Sequence, residues 1–272
     1  MTFKNFLIIA SKTDKAGINI TTSLSQFETV EHKFRFHLIE DEIIYDKNYD
    51  KEKLNQFDFI IFASKHKSSA QHKTLSIHAP GNWLNTQPQL GGEAGKISMT
   101  SAVFIKQAFQ KLKKTAKQYN LNEYDVTLEC THHGPLIEKP CMFIEIGSTE
   151  NEWKDRRAGF VIAKTISDTI DSFKENPYNE IAIGIGGPHY CPNFNKIQLH
   201  SNFAISHVIP QYVLPLTEEM IKESILKTSE EVDLVILDWK GLGNSESRDQ
   251  VLSVLDKLHI RYEKTSDIEK GD

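Results

Sequence analysis

Short apolar runs alternate with longer amphipathic stretches along most of this 272-residue chain. The apolar runs are rich in β-branched and aromatic residues, and several are apolar at both odd and even positions, which is typical of strands covered on both faces. They predict strands at residues 6–10, 57–63, 74–78, 126–131, 141–146, 180–185 and 233–237. Helical periodicity predicts helices at residues 100–118, 150–173, 217–227 and 245–258, with Thr217 as the N-cap of the third.

This alternation indicates an α/β fold in which helices cover both faces of a mixed, largely parallel sheet, giving three α/β/α layers. No repeat or low-complexity linker divides the chain, so we expect residues 1–272 to form a single domain. No apolar run approaches the roughly 20 residues of a membrane span, and the run at residues 6–10 is too short for a signal-peptide core. We therefore expect a cytoplasmic protein with no membrane partner.

Three cysteines, Cys130, Cys141 and Cys191, form no CxxC pair. Their odd number fits a reduced compartment better than a disulfide framework. Buried free thiols are the favoured interpretation, and a thiolate metal site is the alternative.

Charge leaves the class of partner open. The net charge of −5 alone argues against a nucleic-acid partner. However, five lysines crowd one predicted helix, where they either form a solvated face or meet phosphates: Lys106, Lys111, Lys113, Lys114 and Lys117.

The sequence contains no HExxH, GxSxG or GxGxxG motif, so the candidate chemistry comes from polar clusters at strand ends. The most informative cluster follows the strand at 126–131 and contains His132 and His133. Alternation along a regular strand would place Glu129 and His133 on one side and His132 on the other. Gly134-Pro135 ends the strand and can turn the chain enough to bring both histidines toward one cleft. A tandem histidine pair at this position favours a functional site.

A second cluster contains His78, which ends the predicted strand at 74–78 and precedes a Pro80-Gly81 turn. Strand-end residues of α/β proteins commonly line the ligand crevice. His78 therefore either lines such a crevice or caps backbone groups of the turn.

A glycine pair, Gly186-Gly187, follows the predicted strand at 180–185, and His189 and Tyr190 come shortly after it. Closely spaced glycines let backbone amides approach a phosphate, a ribose or an oxyanion, and they also suit a plain tight turn. The histidine and tyrosine that follow favour a site.

Acidic residues mark two further strands. Glu145 lies inside an apolar strand, where a carboxylate requires a proton, a basic partner or a metal. Asp238 and Lys240 follow the strand at 233–237 on the same side, where they could pair with each other or reach the cleft.

Taken together, these clusters resemble the archaeal and plant type of D-aminoacyl-tRNA deacylase. The pieces that carry the resemblance follow the family's order between about residues 64 and 242: Ser64-Lys65-His66, His78-Ala79-Pro80-Gly81-Asn82, Gly91-Gly92, Thr131-His132-His133-Gly134-Pro135, Glu145-Ile146-Gly147-Ser148-Thr149-Glu150, Gly186-Gly187-Pro188-His189-Tyr190 and Lys240-Gly241-Leu242. The sequence departs from the family's pattern at Pro188, where a third glycine is usual, and at Asn193, where a basic residue is common.

The resemblance implies hydrolysis of the ester between a D-amino acid and the terminal ribose of tRNA by a zinc-dependent enzyme. It also implies a fold related to nucleoside phosphorylases and peptidyl-tRNA hydrolases, a monomer, and the 3′ acceptor end of D-aminoacyl-tRNA as partner. Under this hypothesis the catalytic residues are His78, His132, His133, Glu145 and His189. The substrate-binding residues are Lys65, His66, Asn82, Gly186, Gly187, Tyr190 and Lys240.

The metal ligands expected under the same hypothesis are His132, His133 and His189, with His78 or Glu129. Glu145 would then orient a ligand or act as a general base. Glu129 and His133 are four residues apart, roughly 13 Å along an extended strand, so they reach one metal only if the strand bends.

Two other hypotheses stay open. The glycine loop could bind a ribose or phosphate in a metal-independent enzyme that processes nucleosides or nucleotides. The chain could also be a non-catalytic tRNA-binding module, although this leaves Glu129, Glu145 and the histidines without a purpose.

Overall fold

The computed structural model describes residues 2–27, 33–45, 49–86 and 90–268. Within these ranges the strands are β1 (Phe6–Ser11), β2 (Phe34–Ile39), β3 (Phe59–Lys67), β4 (Thr74–His78), β5 (Asp125–Leu128), β6 (Cys141–Ser148), β7 (Glu180–Ile185), β8 (Phe203–Ile209), β9 (Leu234–Leu237) and β10 (Tyr262–Lys264). The helices are α1 (Lys15–Leu24), α2 (Lys51–Leu54), α3 (Ala102–Gln118), α4 (Glu150–Trp153), α5 (Arg156–Ser172), α6 (Pro192–His200), α7 (Glu218–Leu226) and α8 (Ser245–Lys257).

Six strands form one sheet in the order β2-β1-β3-β6-β4-β5, and every pair is parallel except β4 with β6. Side chains of β1 and β3 alternate between two apolar clusters. Ile8 and Ile61 pack on the face that α1, α3 and α5 cover, whereas Ile9 and Phe62 pack on the opposite face. The predicted α/β fold with a mixed, largely parallel sheet between layers is confirmed.

Four strands form a second, fully parallel sheet in the order β10-β9-β7-β8. The sequence pattern predicted β7 and β9 but neither β8 nor β10. Strand β8 carries Ser206 and His207 within an apolar run, and both are buried. Ser206 forms a hydrogen bond with the Thr228 hydroxyl, and His207 with the Lys227 carbonyl. Strand β10 has three residues, too few to show a pattern.

The segment that follows β5 joins the two sheets. The Cys130 amide donates to the His189 carbonyl (2.8 Å), and the Thr131 amide donates to the Val208 carbonyl (3.0 Å). The Thr131 hydroxyl lies 3.1 Å from His207 Nδ1. These contacts hold residues 130–133 between the sheets.

Two predicted elements are shorter than the pattern indicated. The strand predicted at 126–131 ends at Leu128, because the chain leaves β4 there to bond with the second sheet. The helix predicted at 150–173 is two helices, since Asp155 ends the first turn and caps α5 by accepting from the Arg157 amide (2.9 Å). Helices α1 and α6 were not predicted, and Thr217 caps α7 as predicted.

The lysine-rich helix α3 is only partly a solvated face. Lys106 is fully buried, and its ammonium donates to the carbonyls of Gln198 and Ser201 at 2.8 Å each. Lys113 and Lys114 are exposed. All three cysteines are buried and free, as expected. Among the described helices, none combines the length and the apolar character needed to cross a membrane.

Candidate active site

Three histidine rings meet where β4 ends and the inter-sheet segment begins. The ring centroid of His78 lies 4.2 Å from that of His132 and 4.8 Å from that of His133, and the last two lie 4.3 Å apart. The turn expected at Gly134-Pro135 brings both members of the tandem pair to one cleft, with His133 at a positive φ of 44°. The alternation of sides expected for a regular strand does not apply to Glu129, His132 and His133, because β5 ends at Leu128, before them.

Each of these rings anchors its Nδ1 on a backbone carbonyl: His78 on Ala79 (3.1 Å), His132 on Cys130 (2.8 Å) and His133 on Gly134 (2.6 Å). A carbonyl oxygen only accepts, so Nδ1 must carry the proton in all three rings. The Nε2 lone pairs are then left free, which is the arrangement that metal-binding histidines show when a carbonyl orients them.

Glu129 is buried at the centre of the cluster. Its Oε2 accepts a hydrogen bond from His189 Nε2 (3.0 Å) and lies 3.3 Å from His132 Nε2. Its Oε1 lies 3.1 Å from His66 Nδ1, and Tyr190 places its hydroxyl 3.0 Å from the other nitrogen of that ring. The predicted candidates Glu129, His66, His189 and Tyr190 therefore form one connected group.

Glu145 is the second buried carboxylate, and it has the basic partners that its position required. It accepts from the Ser64 hydroxyl at 2.5 Å. Its Oε2 lies 3.7 Å from His66 Nδ1 and 3.6 Å from His78 Nε2. Glu145 thus touches the histidine that belongs to the Glu129 group and one member of the three-ring group.

The two carboxylates divide the histidines into charged and neutral rings. Burial opposes charge on Glu145, but its contact with His66 lowers its pKa to about 2. Burial likewise opposes protonation of His66, yet its contacts with Glu129 and Glu145 raise its pKa to about 11. Contacts with Cys130 and Glu129 raise the pKa of His189 to about 10 against the same opposition.

The tandem histidines behave in the opposite way. Burial, reinforced by the neighbouring His78, lowers the pKa of His133 to about 4 and that of His132 well below its ordinary value. Both rings are therefore neutral at physiological pH. A neutral imidazole is the form that binds a metal.

Cavities lie on both sides of His132 and His133. The larger, of about 600 Å³, extends past Lys65 and His66 to Asp14 and Trp153. The smaller, of about 270 Å³, is bordered by Asn82, Trp83 and Tyr212. The histidine pair forms part of the wall of each cavity.

Besides His66, two predicted substrate-binding residues line these cavities and form hydrogen bonds or ion pairs within the protein. Lys65 lines the larger one and pairs with Glu42 (2.7 Å). Asn82 borders the smaller one and donates to the Gly91 carbonyl (2.9 Å).

Three other predicted binding residues, Gly186, Gly187 and Lys240, line neither of these two cavities. The Gly186 amide donates to the Ile209 carbonyl (2.8 Å) and the Gly187 amide to the Gly241 carbonyl (3.3 Å), so neither amide is available to a ligand. Both glycines adopt positive φ and pack closely against Asp238 and Gly241. Lys240 lines a separate cavity and does not pair with Asp238 in the described part of the chain. Their assignment to substrate binding stays a prediction.

Two residues of the site, Tyr212 and Asp14, carried no signal in the sequence. The Tyr212 hydroxyl lies 3.0 Å from Cys130 Sγ and 3.4 Å from His189 Nδ1, but Tyr212 follows the unpredicted strand β8. Asp14 caps α1 and also accepts from the Lys65 amide (2.9 Å), so it fixes that edge of the larger cavity. Cys130, for which a buried thiol was the favoured interpretation and a metal ligand the alternative, lies 3.4 Å from His189 Nδ1.

The donor set fits zinc. One ligand atom from each of His78, His132 and His133 lies within 4.8 Å of the others, and His132 also forms such a group with Cys130 and His189. His78 Nε2 is buried and has no hydrogen-bond partner among the described residues. Three nitrogen ligands with one open position are typical of catalytic zinc. His189 and Glu129 form a further group of this kind with His66, so their assignment as metal ligands stays a prediction.

Comparison with known proteins assigns the family. The model of the D-aminoacyl-tRNA deacylase family matches residues 53–263. A D-aminoacyl-tRNA deacylase of Thermococcus onnurineus is 34% identical over 275 residues, covering 94% of this chain and 98% of the relative. One of Methanocaldococcus jannaschii is 34% identical over 250 residues, covering 89% and 93%. A crystal structure of a conserved protein of unknown function superposes with a TM-score of 0.86 at 30% identity, covering 97% of this chain and 96% of that one. This chain therefore belongs to the D-aminoacyl-tRNA deacylase family.

Proposed function

We propose that this chain hydrolyses the ester bond of D-aminoacyl-tRNA, releasing a free D-amino acid and tRNA. The observation that carries the proposal is the convergence of three anchored imidazoles, those of His78, His132 and His133, beside the buried carboxylate of Glu129. An aminoacyl ester needs only a positioned water, a base and an electrophile for its carbonyl oxygen. The relatives named as D-aminoacyl-tRNA deacylases give the substrate class.

His78, His132 and His133 would hold zinc through their Nε2 atoms. When bound there, zinc would polarise the ester carbonyl and lower the pKa of a water molecule. The backbone carbonyls that fix the three rings would keep the ligands oriented as the substrate enters.

Glu129 and His189 would handle the protons. Burial opposes charge on the Glu129 carboxylate, but its contacts with His189 and His66 hold its pKa well below the ordinary value. The carboxylate is therefore ionised beside His132, where it takes a proton from the attacking water. His189, bonded to Glu129 at 3.0 Å, returns a proton to the ribose oxygen as the ester bond breaks. Glu145 orients the cluster through its contacts with His66 and His78.

His132 and His133 border two cavities, so the amino acid and the ribose of an aminoacyl ester can bind on opposite sides of the histidine pair. The larger cavity offers charged groups from Lys65, Asp14 and Glu42, and the smaller one is mostly uncharged. The 3′ acceptor end as the part of tRNA that binds, a monomeric state and a cytoplasmic location belong to this proposal.

The test is the rate of release of D-tyrosine and L-tyrosine from matched aminoacyl-tRNAs, before and after chelation and zinc repletion. We expect D-selective release that is lost with the chelator and restored by zinc. His132→Ala should lose both bound zinc and about 100-fold or more of the turnover. His37→Ala, which removes an exposed histidine on β2, is the matched control and should retain both.

Other outcomes separate the parts of the proposal. D-selective release that is indifferent to the chelator would keep the substrate and transfer catalysis to the carboxylates and histidines alone. Release of neither amino acid would contradict the function itself. The alternative of a nucleotide-processing enzyme has less support, because the glycine loop has no free amides at Gly186 and Gly187.

A further inference from the structure

A third cavity, of about 310 Å³, lies at the carboxyl edge of the four-stranded sheet and is separate from the histidine rings. One wall is a face of α6 that includes Asn193 and Lys196. The opposite wall is the turn Asp238-Trp239-Lys240, which follows β9. Residues that follow β10, including Thr265, close the third side.

The strand order makes this edge a natural ligand site. From β7 the chain crosses through α6 to β8, and it then returns to place β9 on the other side of β7. The connections that leave β7 and β9 therefore diverge, and ligands of open α/β sheets bind in the crevice at such a switch point. Asn193 and Asp238 lie on the two sides of this crevice, joined by a hydrogen bond of 3.0 Å.

Asp238 is a buried side chain, and one of its two carboxylate oxygens accepts no hydrogen bond from the described residues. Only 3% of the residue is exposed. Its Oδ1 accepts from Asn193 Nδ2 and from the Gly241 amide. None of the described residues donates to Oδ2, although the residue lines the cavity. Oδ2 does not belong to the buried side-chain atoms that lack a partner, so it is open to the cavity and can accept a hydrogen bond from a hydroxyl or an amino group of a ligand.

The rim of the cavity has the opposite charge. Lys196 and Lys240 are exposed there, and neither forms an ion pair with any described residue. Two more cations lie over the ring of Trp239, with Lys264 Nζ at 4.1 Å and the Arg248 guanidinium at 5.1 Å from its centroid. The cavity therefore offers one hydrogen-bond acceptor at its base and positive charge at its mouth.

We propose that this cavity binds a ribonucleotide of the tRNA acceptor end, adjacent to the ester that is hydrolysed. A hydroxyl or amino group of the nucleotide donates to Asp238 Oδ2, and its phosphate lies between Lys196 and Lys240. The inference rests on the proposed function. The distance is suitable, because α6 begins three residues after His189 and is roughly 13 Å long.

The positive charge at this cavity comes from both sides of the crevice. On α6, Asn193 donates to Asp238 and carries no charge itself. Positive charge for the phosphate then comes from Lys196, one turn further along α6, and from Lys240 across the crevice.

The test measures binding of a 5′-phosphorylated CCA trinucleotide and of uncharged tRNA to the full chain, over a series of salt concentrations. In Lys196→Met/Lys240→Met we expect about a tenfold or greater loss of affinity. The slope of log affinity against log salt concentration should become smaller by roughly 1.4, because two phosphate-binding cations are removed. In Asp238→Asn we expect a comparable loss of affinity with the salt dependence unchanged, because no cation is removed.

The matched control is Lys51→Met/Lys174→Met. Both lysines are exposed and neither lines this cavity: Lys51 precedes β3 of the six-stranded sheet, and Lys174 precedes β7 at its amino end. The control should bind the trinucleotide as the wild type does. With D-tyrosyl-tRNA as substrate, the Lys196→Met/Lys240→Met variant should show a raised KM and an unchanged kcat, since the reacting groups are intact.

Each contrary result has a distinct meaning. If the wild type hydrolyses D-tyrosyl-tRNA but all variants bind like the control, the subsite is wrong and the proposed function stands. If a mononucleotide binds as tightly as the trinucleotide and uncharged tRNA does not compete, the site takes a free nucleotide and the assignment to tRNA is overturned. If hydrolysis is absent but trinucleotide binding depends on these residues, the subsite is supported and the proposed function fails.

Discussion

Glu129 is the residue on which the proposed chemistry depends most. It is fully buried, bonds His189, and lies 3.3 Å from His132. Glu129→Gln keeps the shape and removes the basic oxygen, so we expect kcat for D-tyrosyl-tRNA to fall by about 100-fold or more while zinc content is retained. Single-turnover kinetics together with metal analysis would measure both.

A matched variant separates the chemistry of Glu129 from general effects of losing a carboxylate. Glu40→Gln makes the same replacement at an exposed position. It should leave the single-turnover rate unchanged. Wild-type rates in Glu129→Gln would show that another group takes the proton, and Glu145 would then be the next candidate.

The sequence identified most of these residues but not their arrangement. His132 and His133 were recognisable because a tandem pair at a strand end is costly to bury without partners. Their common direction depends on the chain leaving the sheet after Leu128, which involves hydrogen bonds to Val208 and His189 that are far away in sequence. Local alternation contains no information about such contacts.

At the scale of elements, helix α3 shows how tertiary contacts override a sequence pattern. Five lysines on one helix suggest a solvated or phosphate-binding face, but Lys106 caps the carboxyl end of α6 through buried carbonyls. The exposed members, such as Lys113 and Lys114, fit the pattern. The pattern predicted the helix itself correctly, because its apolar positions follow helical spacing.

The burial of Lys106 predicts a pH dependence of stability. Burial lowers its pKa to about 7, from about 10.4 in the unfolded chain. Between these values the unfolded state binds more protons, so the free energy of unfolding should rise with pH. In Lys106→Met this contribution is absent. From pH 7 to pH 10, the free energy of unfolding of the wild type should therefore rise by on the order of 3 kcal/mol relative to that of the variant.

Urea unfolding of the two proteins across this pH range measures the difference directly. Lys113→Met, on the exposed side of the same helix, is the control. Its free energy of unfolding should vary with pH as that of the wild type does. If the free energy of unfolding of Lys106→Met varies with pH as that of the wild type does, the carbonyl contacts with Gln198 and Ser201 hold the ammonium charged in the folded state.

At the scale of the whole molecule, the site lies where two sheets meet. The pattern of apolar runs predicted the layered α/β architecture, since most strands of the six-stranded sheet are apolar at both parities. The second sheet was not apparent, because β8 buries polar residues and β10 is very short. The sequence therefore identified candidate residues at the ends of several strands. Their assembly into one site depends on how the two sheets pack against each other.

Zinc bound by His78, His132 and His133 would join the end of β4 to the segment between the sheets, so it should stabilise the folded chain. At a free zinc concentration 100 times the dissociation constant, binding contributes about 2.7 kcal/mol. For a chain of this size, we expect the melting temperature to rise by several degrees, at roughly 2–4 °C per kcal/mol. Calorimetry with and without zinc would measure the shift. It should vanish in His132→Ala and persist in His37→Ala, whereas a wild-type melting temperature indifferent to zinc would contradict binding between the sheets.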